Sequence, residues 1–140
     1  MNTIGYFAKF EPADEGGFVI TFPDIPEAIS EADDKSSALF NASEVLDLCL
    51  KERLASGETL PTPSQFSDGV WVEPSASVQA ALLVRNTREK EGKNLAYLAR
   101  ALKTSWAAAQ KLESSGNNPT LKQLERTAAV LGKRLVVSFD

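Results

Sequence analysis

The chain has 140 residues, 43% of them hydrophobic and 24% charged, with one cysteine, no histidine and a formal net charge of −4. That length suits one ordinary domain or two small ones, and the apolar share is that of a globular chain. The composition excludes a Ser-His-Asp or Cys-His nucleophile, an imidazole-bound zinc and an internal disulfide, so catalysis would have to rest on carboxylates.

Charge divides along the chain. Residues 1–73 carry four Lys/Arg against fourteen Asp/Glu, a net −10, whereas residues 74–140 carry eleven against five, a net +6. An acidic half repels nucleic acid and attracts basic partners, and a basic half attracts phosphate, so the two halves are expected to serve different partners. Apolar runs fall far short of the roughly 18 to 20 residues that a bilayer needs, and no basic start precedes one. Neither a membrane span nor a secretory signal is expected. Cys49, beside Leu48 and Leu50, reads as a buried small apolar residue of a protein in the reducing cytoplasm.

In chain order, residues 3–11 place Ile4, Tyr6, Ala8 and Phe10 on one face of a strand. After "PADEGG", whose glycines permit positive φ, Phe18, Ile20 and Phe22 alternate with Val19 and Thr21, which predicts the second strand of a hairpin. Pro23 and Pro26 end that strand and hold Asp24 on a stiff bend, where it is a catalytic carboxylate, a turn residue or part of a docking surface. A short strand near residues 28–32 is an option. Over residues 35–54 the period becomes helical: Leu39, Ala42, Leu46, Cys49, Leu50, Arg53 and Leu54 form a stripe, with Asp34 as N-cap and Gly57 as terminator. "GVWVEP" predicts a last short strand; if it runs parallel to the first, the helix is the crossover between neighbouring strands.

The basic half reads as helices: 76–91 after Ser75, 95–102 capped by Asn94, 106–114 capped by Thr104 or Ser105, and one from Thr120 through Leu131. Thr120 and Gln123 have capping-box spacing, and Gly132 terminates the last helix. "RLVVSF" predicts a short terminal strand that either pairs with its twin in a second copy or packs back on its own domain.

Two short helices joined by three residues cross steeply and leave one face of the second free. Leu98, Leu102, Ala109 and Leu112 are the expected buried set, and Trp106, Ala107, Gln110 and Lys111 share the outward face. The stretch "NLAYLARALKTSWAAAQKLESSGNNPTLKQLERTAAVLG" resembles the Cro/repressor-type helix-turn-helix family over roughly residues 78–133. The carriers are Leu98-Ala99, Leu102, Ser105, Leu112-Glu113, Pro119, Leu124, Ala129 and Leu131-Gly132. The family usually has glycine where Lys103 stands. The resemblance implies DNA contacts from Leu95, Arg100, Lys103, Ser105, Trp106, Ala107, Gln110, Lys111 and Lys122. Base readout by alanines and one lysine is modest, so phosphate contacts by Arg100, Lys103, Lys111 and Lys122 carry the affinity and make it salt-dependent. Trp106 has a second reading, as a side chain that merely packs on its neighbours. For the module as a whole, the alternative is protein–protein interaction.

A metal nuclease needs acids converging at strand ends, but Asp14 and Glu15 fall on the hairpin turn, Asp24 and Glu27 on the bend, and Glu31, Asp33 and Asp34 before the helix, while the strand interiors lack acids, so no catalytic or metal site is assembled. The run "YFAKFEPADEGGFVITFPDIPEA", then "ADDKSSALFNASEVLDLCL", then "LPTPS", resembles the HicB antitoxin family over residues 4–64. That resemblance implies an α+β chain: a partial ribonuclease-H-like ββ(β)αβ domain, residues 1–73, without catalytic acids, followed over 75–140 by the helix-turn-helix domain with its terminal strand. It implies a small basic HicA-like ribonuclease toxin as partner and repression of the operon through an inverted-repeat operator, by a homodimer or dimer of dimers. Phe22, Asp24, Ile25 and Glu27 are the expected toxin-binding set, an acidic edge with two apolar anchors. No cofactor is expected. The runner-up is a helix-turn-helix regulator whose first domain senses a small ligand.

Overall fold

A strand whose alternate side chains are apolar must bury that face, and the first third of the chain does so as a sheet covered by one helix. The computed structural model describes residues 4–140, in two compact units that divide between Gln79 and Ala80. Thr3, at the start of the predicted first strand, lies outside the described residues.

The first unit contains strands β1 (Tyr6–Pro12), β2 (Phe18–Thr21), β3 (Ile29–Ala32) and β4 (Val70–Val72), and helix α1 (Lys35–Ala55) between β3 and β4. The sheet order is β3-β2-β1-β4 and every pairing is antiparallel. The β1–β2 register sets Lys9 opposite Thr21 and Phe10 opposite Ile20, and Gly16 and Gly17 make the connecting turn with φ of 95° and 75°. A Cβ on Gly17 would also come within 2.4 Å of the Ala32 carbonyl oxygen, so both backbone and space demand glycine there.

The parallel arrangement considered for the last strand is corrected. β4 pairs antiparallel with β1, Tyr6 opposite Val72, and β3 and β4 are the two edges of the sheet. α1 therefore links the two edges rather than neighbours. It begins where Asp34 accepts a hydrogen bond from the Ser37 amide at 2.8 Å. Its buried line is Ala38, Ala42, Leu46, Leu50 and Leu54 at four-residue steps, with the alanines letting the helix sit close to the sheet. Tyr6, Ala8, Ile20 and Val72 are also in the core, where each large side chain contributes roughly 1.5–3 kcal/mol. Two stripe members depart from expectation: Leu39 faces solvent and Cys49 is half-buried, because the stripe follows four-residue steps and drifts off a strict heptad. Asn41 ties the helix to the Glu31 carbonyl of β3, and Ser43 ties it to the Glu73 carbonyl after β4.

α2 (Ala76–Lys90) carries the chain into the second unit, which contains α3 (Leu95–Ala101), α4 (Trp106–Leu112) and α5 (Leu121–Val130). Asn94, Ser105 and Thr120 cap α3, α4 and α5, each accepting from an amide three residues on, and Gln123 completes the capping box. Leu98, Leu102, Ala109 and Leu112 are all buried, with Val84, Ala99 and Leu131, in one core. The predicted terminal strand is not formed. After Gly132 the chain is irregular, and Val136, Val137 and Phe139 are exposed; among the described residues the helical unit contains no strand for this segment to pair with.

Candidate functional site

The bend "FPDIPEA" resolves into two successive β-turns. The Ile25 amide donates to the Phe22 carbonyl at 3.0 Å and the Ala28 amide to the Ile25 carbonyl at 2.9 Å. Pro23 and Pro26 each occupy the second turn position, where the ring presets φ, and Asp24 and Glu27 each occupy the third. The corner residues Phe22, Ile25 and Ala28 turn inward and are completely buried. Phe22 and Ile25, expected as surface anchors, are thus core residues. Each sits at a turn corner that the strand's apolar face continues into the core.

The two acids are engaged internally. Asp24 accepts a hydrogen bond from the Ser64 amide at 2.6 Å, and the Tyr6 hydroxyl donates to the Pro61 carbonyl at 2.7 Å. The bend and the "LPTPS" segment therefore hold each other. Glu27 makes a two-pronged pair with Arg53 of α1, at 2.6 Å and 2.8 Å, and Arg53 also lies 3.8 Å from Glu58. The Arg53 hydrogen bond holds the Glu27 carboxyl down at about 2, and burial pushes the Tyr6 phenol up to about 12. The expected acidic edge is also a clasp between distant segments, with Glu27 still exposed. Among the described residues, no three His, Cys, Asp or Glu side chains are placed to hold a metal ion.

In the second unit the outward set is where the spacing placed it. Trp106 is 52% exposed, and Ala107, Gln110 and Lys111 are exposed on the same helix. Arg100, Lys103 and Lys122 are exposed as well. Ser105 serves as the α4 cap, its hydroxyl accepting from the Ala108 amide at 3.1 Å, and Leu95 packs, partly buried, against the helical core. Lys103 has φ of 55°, a left-handed conformation that glycine adopts without strain, so the turn before α4 carries a cation.

Two features escaped the sequence reading. Arg126 is exposed on α5, donates to the Leu102 carbonyl at 3.2 Å, and shares a shallow cavity of about 170 Å³ with Thr104, Lys111, Asn117 and Gln123. Its place one turn beyond Lys122 was the available signal. Arg88 and Glu113 form a buried pair at 2.5 Å and 3.0 Å, joining α2 to the residue that ends α4. Nothing local marks that pair, since the partners are 25 residues apart.

Fold and site define a two-unit α+β chain, with an acidic sheet-and-helix unit first and a basic unit of short helices presenting exposed cations second. A family model described as the HicB_like antitoxin of bacterial toxin-antitoxin system matches residues 5–79. Antitoxin HicB 2 of Photorhabdus laumondii is 33% identical over 130 residues, covering 93% of this chain and 92% of that one. Antitoxin HicB 1 of the same organism is 24% identical over 140 residues, covering 100% and 90%. Antitoxin HicB of Escherichia coli K12 is 26% identical over 131 residues, covering 93% and 95%. The chain belongs to the HicB-like antitoxin family.

Proposed function

We propose that this chain is the antitoxin of a HicAB-like pair: its acidic unit binds and blocks a small, basic, mRNA-cleaving toxin, and its basic unit represses its own operon. The observation that carries this reading is the coincidence of charge with architecture. The net −10 lies in the unit that matches the antitoxin family, and the net +6 lies in the helical unit, whose exposed α4 face and flanking cations suit a phosphate backbone. The chain is not an enzyme and uses no cofactor; it acts in the cytoplasm by covering the toxin's working surface.

DNA binding engages an inverted repeat through a homodimer or dimer of dimers, with half-sites about one helical turn, ~34 Å, apart. The exposed Val136, Val137 and Phe139 support a two-fold pairing of the terminal segment with its twin, which would cover them and supply the missing edge. The test mixes the full chain with the purified small basic toxin that this reading requires as its operon partner and follows RNA cleavage, then titrates promoter DNA by fluorescence anisotropy at several salt concentrations. Stoichiometric loss of cleavage and a steep salt slope are the expected results. Cleavage that continues in the presence of excess chain would overturn the toxin assignment, and equal affinity for promoter and unrelated DNA would overturn autorepression.

A further inference from the structure

With Phe22 and Ile25 buried and Asp24 and Glu27 held by Ser64 and Arg53, the bend offers a partner little apolar surface, and α1 supplies a further candidate. Its buried line runs Ala38, Ala42, Leu46, Leu50, Leu54. Two residues after each of the first four, and so about 200° round the helix, runs a second line with the same step: Phe40, Glu44, Leu48, Glu52. This ridge points away from the sheet. Phe40 is 64% and Leu48 63% exposed, Leu39 flanks them in solvent, and Glu44 and Glu52 are exposed. A solvent-facing helix side is ordinarily polar, so two large apolar residues set between acids need a reason. Among the described residues neither ridge acid is in an ion pair, whereas Asp47 on the neighbouring row is bound to Lys51 and to the Ser75 amide.

We propose that this outer ridge of α1 is where the first unit docks a small basic protein. Phe40 and Leu48 act as apolar anchors roughly 12 Å apart, and Glu44 and Glu52 meet cations on the partner. The proposal rests on the toxin-binding reading and assigns it a surface. Charge complementarity selects the occupant: the unit carries a net −10, and the ridge presents acids with no cation of its own. A second copy does not fit the same ridge. Two-fold pairing centred on Glu44 sets acid against acid, and pairing centred between Glu44 and Leu48 sets each apolar residue against an acid. A basic groove with two apolar pockets satisfies all four side chains at once.

The experiment is calorimetry and surface-binding kinetics of the full chain against the small basic toxin that the proposed function requires, with light scattering of the free chain in parallel. Phe40→Ser with Leu48→Ser is expected to weaken binding at least 100-fold, mainly through faster dissociation, while the free chain keeps its mass and thermal midpoint, both residues being exposed. Glu44→Gln with Glu52→Gln is expected to slow association several-fold and flatten its salt dependence. If the unmodified chain does not bind the basic protein, the toxin-binding reading fails and the ridge assignment with it. If it binds and the double serine variant stays within two-fold, the ridge assignment alone is overturned. A fall in free-chain mass with unchanged toxin affinity would overturn it too, making the ridge a contact between copies.

Discussion

Glu113→Ala removes one side of the buried pair that holds α4 to α2. The Arg88 and Glu113 side chains are only 11% and 8% exposed, and their two hydrogen bonds measure 2.5 Å and 3.0 Å. Stripping the carboxylate leaves a guanidinium almost out of water, and removing one partner of such a pair costs about 3–5 kcal/mol. Arg88 keeps its bond to the Lys93 carbonyl at 2.8 Å and has Glu89 at 3.9 Å, which lowers the expected loss to about 2–3 kcal/mol. For a unit of this size that amounts to roughly 10–20 °C in thermal midpoint. Urea titration followed by circular dichroism measures the loss, and hydrogen exchange of the α3 and α4 amides shows whether it falls in the second unit. Arg88→Met with Glu113→Leu should recover most of it, since an apolar pair carries no desolvation cost. A Glu113→Ala chain within about 0.5 kcal/mol of the parent would refute the claim that this pair holds α4 in place.

Three further outcomes are expected. Lys103→Gly relieves a non-glycine residue at φ of 55° and should raise stability in urea by about 0.5–1 kcal/mol; a decrease would mean that the lysine side chain has a structural partner. Glu27, held at about 2 by Arg53, is lowered from its unfolded value, so its contribution is complete above about pH 4.5 and disappears as the pH falls toward 2. Because the side chain is 47% exposed, screening reduces that contribution to about 1 kcal/mol, and Glu27→Gln should flatten urea midpoints compared across that window. Lys111→Ala with Lys103→Ala should weaken promoter binding and reduce its salt slope by about two, one for each phosphate no longer neutralised; unchanged affinity and slope would remove α4 and its preceding turn from the DNA face.

Local chemistry was legible in the residues because the interactions behind it span three or four positions. Asp34, Asn94, Ser105 and Thr120 cap the helices where their short oxygens reach an amide three residues on, and Gly57 and Gly132 follow helix ends at positive φ. The buried set of α3 and α4 was equally readable, since a 3.6-residue period leaves Leu98, Leu102, Ala109 and Leu112 one side on which to meet. The bend was legible only in part for a matching reason: its two proline turns were visible, but the partners of Asp24 and Glu27 lie 40 and 26 residues away.

By itself, then, the sequence determined the hairpin, the helices and their caps, the acidic and basic halves and the family, though not the fate of "RLVVSF", because periodicity, turn chemistry and charge are properties of short stretches. Tertiary structure alone decided that β4 joins β1 antiparallel, that Phe22 and Ile25 close the core, that Arg53 and Ser64 take up the two acids of the bend, and that Phe40 and Leu48 stay in water. Those outcomes depend on which distant surfaces meet, and a helix with apolar residues on more than one side chooses its buried face only when the sheet arrives.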